Sequence, residues 1–198
     1  MKGLVLDTTI KGAYAAAFDG EREAVVRFDP SLSTQSALIP ACEQALSELG
    51  LSPSDLDGVA AVVGPGSFTG IRIGVTFANA LAFALSLPRF SLTSFDVMRV
   101  LYPRAMAFAI DAGHDECYAA FVKGGELVQE NVARRDLPAG AVNQSELLED
   151  LPKGALSAAR KALEEKGYSA CAPTCETSYL KPNYRKKSQA ERLKEEKK

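Results

Sequence analysis

Histidine is nearly missing from this chain of 198 residues, which has one, His114, beside only four cysteines. A single histidine excludes the paired-histidine motifs of metallopeptidases. Cys171 and Cys175 are the only closely spaced cysteines, and a zinc site needs four ligands, so we expect no bound metal and no required cofactor. Nothing in the sequence supports a triad of Ser67 with His114 and an acid, and we expect no catalytic residue.

Long hydrophobic runs are also missing. The apolar residues after Met1 are interrupted at Asp7, which does not resemble a signal peptide. The Ala-rich segment 69–87 contains Arg72 and Asn79 and is too polar for a membrane span. We therefore expect a cytoplasmic protein that contacts no membrane.

Charge is balanced over the whole chain but unevenly placed. The 23 Lys and Arg and the 25 Asp and Glu residues give a formal net charge of −2. Residues 181–198 carry +5 of net charge, and the rest of the chain carries −7. We expect this basic tail to be flexible; contact of Arg185, Lys186 and Lys187, with Tyr184 beside them, with RNA phosphates is the alternative.

Two similar series of predicted strands organise the chain. Each begins with an apolar strand that ends on an aspartate, Asp7 or Asp111, and continues into a hairpin meander. The predicted strands cover residues 2–6, 12–18, 21–28, 58–63, 89–92, 105–110, 117–122 and 127–132, and the predicted helices cover 34–49, 69–87, 94–102 and 155–166. This pattern predicts an α/β fold with a first lobe at 1–103, a shortened second lobe at 104–180 and the tail at 181–198.

The most informative segment is GPGSFTGIRIG, residues 64–74, which connects a predicted strand to a predicted helix. It lacks the lysine of a Walker loop, the third glycine of a Rossmann loop and the flanking glycines of a nucleophile elbow. Free N–H groups at the helix start still suit an anion, and strand-end carboxylates suit Mg²⁺ through water, with a local turn as the alternative. The candidate nucleotide-binding or anion-binding residues are Asp7, Thr8, Ser67, Thr69 and Asp111.

Small residues continue from this segment along the helix. Gly66, Gly70 and Gly74 are spaced by four, and Ala78 and Ala82 extend the same spacing. A strip of small side chains lets another backbone approach closely, so we predict a partner interface; packing on the chain's own sheet is the alternative. Apolar residues of the first helix, an aromatic residue and an arginine complete the predicted surface. The predicted interface residues are Leu38, Cys42, Leu46, Gly66, Phe68, Gly70, Arg72, Gly74, Ala78 and Ala82.

Residues 64–74 resemble the signature of the TsaB (YeaZ) family almost letter for letter. The segments LVLDTT (4–9), LSELGLSPSDLDGVA (46–60) and AIDAGHDECYAAF (109–121) are also similar to the family, so the resemblance covers about residues 1–122. It implies an actin-like, Hsp70-like (ASKHA) fold with two RNase H-like lobes. It also implies a non-catalytic scaffold subunit that binds and activates TsaD in the N6-threonylcarbamoyladenosine modification of tRNA next to the anticodon.

The partners that the resemblance implies are a TsaD-like protein, in a heterodimer, and a TsaE-like ATPase. ATP, ADP and Mg²⁺ would act at the level of the complex, and tRNA would be reached through it. A homodimer of the isolated chain is left open, and the rival function is a weak ATPase or kinase-like enzyme of the same superfold. Two departures from the family stand out: Gln35-Ser36 replaces a His-Ser pair, and Gly113 replaces the arginine of Asp-Ala-Arg.

Overall fold

The computed structural model describes residues 1–166 and 179–185. Its strands are β1 (Lys2–Asp7), β2 (Tyr14–Asp19), β3 (Arg22–Arg27), β4 (Gly58–Val62), β5 (Arg89–Leu92), β6 (Ala107–Gly113), β7 (Glu116–Lys123), β8 (Glu126–Ala133) and β9 (Val142–Asn143). Its α-helices are α1 (Thr34–Glu48), α2 (Phe68–Ala84), α3 (Ser94–Leu101) and α4 (Leu151–Lys166). The α/β class predicted from the sequence is confirmed.

The first sheet has five strands in the order β3-β2-β1-β4-β5. β1, β2 and β3 form an antiparallel meander, while β4 pairs parallel to β1 and β5 parallel to β4. The central strands β1 and β4 are covered on both faces, which explains their continuous apolar sequences. Gly20, with a positive φ, allows the tight turn between β2 and β3.

The second sheet repeats the meander. β6, β7 and β8 are antiparallel, and the sheet order is β8-β7-β6-β9. The short strand β9 pairs parallel to β6 through two residues and was not predicted, because two residues give no readable periodicity. The shortening of this lobe stays a prediction.

Helices cover both faces of the first sheet. One apolar cluster joins α1 and α2 to the face that includes Leu4 and Leu6. A second cluster joins the opposite face, through Val5, to α3, α4 and the second sheet. Because successive strand residues point to opposite faces, β1 contributes to both clusters. The outer sides of α1 and α2 therefore belong to one surface of the protein.

Side-chain caps fix where the helices begin. The Ser33 hydroxyl accepts a hydrogen bond from the Ser36 N–H, and Thr93 forms a capping box with Asp96. α2 ends at Ala84, three residues before the predicted end, and Ser86 adopts φ +54° just beyond it. α4 begins at Leu151, four residues before the predicted start, and Leu151 is buried in the second cluster. Among the described helices, none combines the length and apolar character that crossing a bilayer requires.

Residues 179–185 pack against the rest of the protein. Leu180 is buried in the first apolar cluster, and Asn183 and Arg185 make hydrogen bonds to β8. The predicted flexible tail is therefore wrong for 181–185, which has a buried neighbour and specific polar partners. Residues 186–198, like Cys171 and Cys175, lie outside the described part of the chain.

Candidate functional site

The glycine turn lies directly on the loop that follows β1. The Ser67 N–H donates to the Thr9 carbonyl oxygen at 2.7 Å, and the Thr8 hydroxyl donates to the Gly70 carbonyl oxygen at 2.7 Å. A Cβ at Gly70 would overlap the carbonyl oxygen of Thr8, and one at Gly66 would lie 2.6 Å from the carbonyl oxygen of Thr9. These glycines therefore permit close contact between α2 and the first hairpin of the same chain.

The strip of small residues faces inward. A Cβ at Gly74 would overlap the Thr8 hydroxyl, and Ala78 and Ala82 are fully buried against the first sheet. The chain itself covers this side of α2, so the assignment of Gly70, Gly74, Ala78 and Ala82 to a partner surface is corrected to core packing.

The same correction applies to α1. Its apolar stripe packs on the first sheet, because a surface helix turns its apolar stripe towards the core. The α1 residues that move from the predicted interface to the core are Leu38, Cys42 and Leu46. Of the predicted interface residues, Phe68 and Gly66 are half-buried and Arg72 is exposed.

Asp7 is buried and engaged within its own loop. It is 1% exposed, and its Oδ1 accepts from the Thr9 N–H at 2.9 Å and the Thr9 hydroxyl at 2.7 Å. Burial raises the pKa of this carboxyl from 3.8 to about 6, although the bonds from Thr9 act in the opposite direction. The neighbouring Thr8 is also buried. This geometry is that of the local turn stated as the alternative for Asp7.

Asp111, the counterpart in the second lobe, has a different environment. Its side chain is 64% exposed, accepts from the Gly113 N–H at 2.8 Å and pairs with Arg134 at 3.0 Å. Ser67 caps α2 by accepting from the Gly70 N–H at 3.2 Å, while Thr69 is exposed on the first turn. Within the described residues no three His, Cys, Asp or Glu side chains form a group that could hold a metal ion. Nucleotide or anion binding at these positions stays a prediction.

The outer side of α1 and α2 carries exposed apolar side chains. Ile39 on α1 is 52% exposed and Phe83 on α2 is 55% exposed. Ile73 and Phe77 of α2 are half-buried and pack against the first apolar cluster. We call this surface the helical face; its members are Ile39, Pro40, Glu43, Arg72, Ile73, Thr76, Phe77, Ala80 and Phe83.

The composition of α2 is unusual for a surface helix. Arg72 is the one charged residue among its 17, although Thr76, Ala80 and Phe83 are exposed. Surface helices of globular proteins normally carry charged residues on the outer side. Depletion of charge together with aromatic residues and an arginine is typical of the centre of a protein interface. The helical face therefore has the character of a binding surface.

An aromatic and arginine cluster borders the helical face at the start of α2. The Phe68 and Tyr184 rings stack with centroids 4.5 Å apart at an angle of 29°. The Arg72 guanidinium lies 4.2 Å above the Phe68 ring, and its Nε donates to the Tyr184 hydroxyl at 3.0 Å. Tyr184 was not predicted here, because sequence spacing does not show that the C-terminal segment returns to α2. By contrast, a helical wheel with Gly70, Gly74 and Ala78 turned inward places Phe83 outward.

Comparisons with known proteins agree with this architecture. The family model described as "TsaD: tRNA N6-adenosine threonylcarbamoyltransferase" matches residues 31–173. The solved structure "YeaZ from Pseudomonas aeruginosa" superposes with a TM-score of 0.71 at 22% identity, covering 92% of this chain and 99% of that one. The family model and this likeness together confirm the predicted actin-like α/β fold.

Relatives from three bacteria carry the name "tRNA threonylcarbamoyladenosine biosynthesis protein TsaB", and two of them match more than half of this chain. The Escherichia coli protein is 32% identical over 126 residues, which is 61% of this chain and 54% of that protein. The Haemophilus influenzae protein is 28% identical over 160 residues, which is 71% of this chain and 66% of that protein. The chain thus spans between half and two thirds of the length of these two relatives. It belongs to the TsaD-type family that the model describes and, within it, to the TsaB/YeaZ family.

Proposed function

We propose that this chain is a non-catalytic subunit in the synthesis of tRNA N6-threonylcarbamoyladenosine, where it binds and activates a TsaD-type threonylcarbamoyltransferase. The names of its TsaB relatives support the process. The observation that carries the binding role is the helical face, with its exposed Ile39 and Phe83 and its single arginine. Hydrophobic side chains at this exposure gain free energy when a partner removes them from water.

The helical face differs from the surface predicted by sequence spacing. Small residues on the inner side of α2 bring the helix close to Thr8 and the first sheet, and the outer side is thereby left for a partner. Glu43 on α1 and Arg72 on α2 provide charges of opposite sign on the helical face. A partner helix with complementary charges would pack across both helices in one register.

The described residues favour a scaffold over an enzyme. Ser67 is used as a helix cap, Asp7 is buried in its own turn, and His114 is exposed in the β6–β7 turn. Hydroxyl-to-carboxylate hydrogen bonds such as Thr9 to Asp7 and Ser31 to Asp29 join residues two positions apart and close local turns, rather than pairing a nucleophile with a histidine base. Contacts with a TsaE-type ATPase and with tRNA belong to the same proposal and would occur through the complex, in the cytoplasm.

Reconstitution with purified components tests this proposal. A TsaD-type enzyme from the same organism, supplied with tRNA and a threonylcarbamoyl donor, is expected to modify tRNA when the chain is present and poorly without it. The double variant Ile39→Glu/Phe83→Glu should fail to restore modification, because two buried carboxylates would oppose docking. Met106→Glu is the matched control, since Met106 is an exposed apolar residue away from the helical face.

A measurement of ATP turnover by the isolated chain distinguishes the rival function from the proposed one. A weak ATPase or kinase-like enzyme would hydrolyse ATP without any partner, whereas a scaffold would not. Full modification in the absence of the chain, or ATP turnover by the chain alone, would contradict the proposal.

A further inference from the structure

The C-terminal segment 179–185 makes hydrogen bonds with the first lobe. The Leu180 N–H donates to the Asn79 Oδ1 at 2.9 Å, and the Asn79 Nδ2 donates to the Leu180 carbonyl oxygen at 3.1 Å. Three residues later the Asn183 N–H donates to the Val63 carbonyl oxygen at 2.8 Å. The buried Leu180 side chain anchors this end in the first apolar cluster. The segment is thus attached to α2 and to the end of β4.

The same segment is attached to β8 in the second lobe. The Asn183 Nδ2 donates to the Gln129 Oε1 at 3.3 Å, and the Arg185 Nη2 donates to the Gln129 carbonyl oxygen at 2.8 Å. The Asn131 Nδ2 donates to the Arg185 carbonyl oxygen at 3.1 Å. β8 is the edge strand of its sheet, so these bonds give it partners on its open side.

Between these two attachments, the segment places Tyr184 on the start of α2. Tyr184 stacks on Phe68 and accepts a hydrogen bond from Arg72, which is a member of the helical face. An arginine held in one rotamer loses less conformational entropy when it meets a partner than a mobile arginine does. The order of Arg72 therefore depends on a residue that is 112 positions away in the sequence.

We propose that residues 179–185 act as a latch that ties β8 to the first lobe and holds Arg72 ready for a partner. Tyr184 is then a positioning residue for binding at the helical face. The part concerning the partner rests on the proposed TsaD-type function, whereas the tie between the lobes does not.

Amide hydrogen exchange of the isolated full chain tests whether residues 179–185 attach β8 to the first lobe. The variant Asn183→Ala/Arg185→Ala removes two side chains that contact β8, and Lys181→Ala is the matched control because Lys181 is exposed on the same segment. We expect the amides of β8 to exchange about tenfold faster in the double variant, and β1 and β4 to keep their protection. Unchanged exchange in β8, with the variant folded by circular dichroism, would overturn the latch.

Affinity for the TsaD-type enzyme tests the positioning role. Tyr184→Ala should weaken binding about fivefold to tenfold, and Tyr184→Phe, which keeps the stacking, should weaken it less. If Tyr184 acts through Arg72, Tyr184→Ala should have no further effect in an Arg72→Ala background. Additive effects of the two substitutions would overturn this role. If the unaltered chain binds no TsaD-type enzyme, the proposed function fails while the exchange result still decides the latch.

Discussion

The buried carboxyl of Asp7 gives the sharpest quantitative prediction. In Asp7→Asn the side-chain oxygen can still accept hydrogen bonds from Thr9, but the negative charge is removed. The carboxyl is 1% exposed, and burial raises its pKa from 3.8 to about 6. The folded protein therefore holds a proton on Asp7 at pH values where the unfolded chain has lost it.

The sign and size of the effect follow from this difference. A raised pKa stabilises the folded state fully below about pH 3.8, and this stabilisation is lost as the pH rises to about 6. A shift of about two pKa units corresponds to about 3 kcal/mol of unfolding free energy. For a chain of this size, that equals roughly 6–12 °C in melting temperature. Asp7→Asn has no carboxyl to titrate, so it does not lose stability in this way. Its stability relative to the unaltered chain should therefore increase between pH 4 and pH 6.

Thermal melts of both proteins at half-unit steps from pH 3.5 to 7 measure the effect. Asp29→Asn is the control: Asp29 is exposed, and its hydrogen bonds from Ser31 lower the pKa of its carboxyl. Its carboxyl stabilises the fold at pH values above about 3.8, so the stability of Asp29→Asn relative to the unaltered chain should stay constant between pH 4 and pH 6. If the melting temperatures of the unaltered chain and Asp7→Asn changed by the same amount between pH 4 and 6, the reasoning would be refuted.

Two further predictions concern residues that the sequence pattern placed at the interface. Gly74→Leu should lower the free energy of unfolding by about 3 kcal/mol, because the leucine side chain would overlap Thr8. Thr76→Leu, on the outer side of α2, is the control and should leave stability unchanged. Equal melting temperatures of the two variants would contradict the inward orientation of Gly74. Burial raises the pKa of the Cys42 thiol to about 12, so iodoacetamide at pH 8 should label Cys42 at least about a hundredfold more slowly in the folded chain than in denaturant; peptide mass mapping showing equal rates would contradict its burial.

Much of the first lobe could be predicted because local signals and tertiary packing agree there. β1 follows its apolar run, α1 begins at the Ser33 cap, and β5 has the predicted bounds. Residues 64–74 were correctly predicted to turn from a strand into a helix, because glycine and a capping serine act over a few residues.

The side of α2 that faces the core was harder to predict. A strip of glycine and alanine suits a partner helix and the chain's own hairpin equally well. The deciding contact, the hydrogen bond from the Thr8 hydroxyl to the Gly70 carbonyl oxygen, joins residues 62 positions apart. Nothing in the spacing shows which backbone approaches, so the outer residues Ile39 and Phe83 were missed.

Contacts between residues far apart in the sequence also explain the remaining differences between the predicted and observed structure. The segment 181–185 is charged enough to predict a flexible tail, but the Val63 carbonyl oxygen, Gln129 and Asn131 supply polar partners from two lobes. Such partners are visible only once the fold brings them together. α4 likewise begins early because Leu151 is buried in the second cluster, which outweighs its loop-like local sequence.

The central claim is that the helical face binds a TsaD-type enzyme, and isothermal titration with the purified enzyme tests it most directly. The unaltered chain and Met106→Glu should bind alike, and Ile39→Glu/Phe83→Glu should bind at least about a hundredfold more weakly, a change of about 2.7 kcal/mol. The variant should keep the melting temperature of the unaltered chain, because both side chains are more than half exposed. Binding of this folded variant with unchanged affinity would contradict the claim.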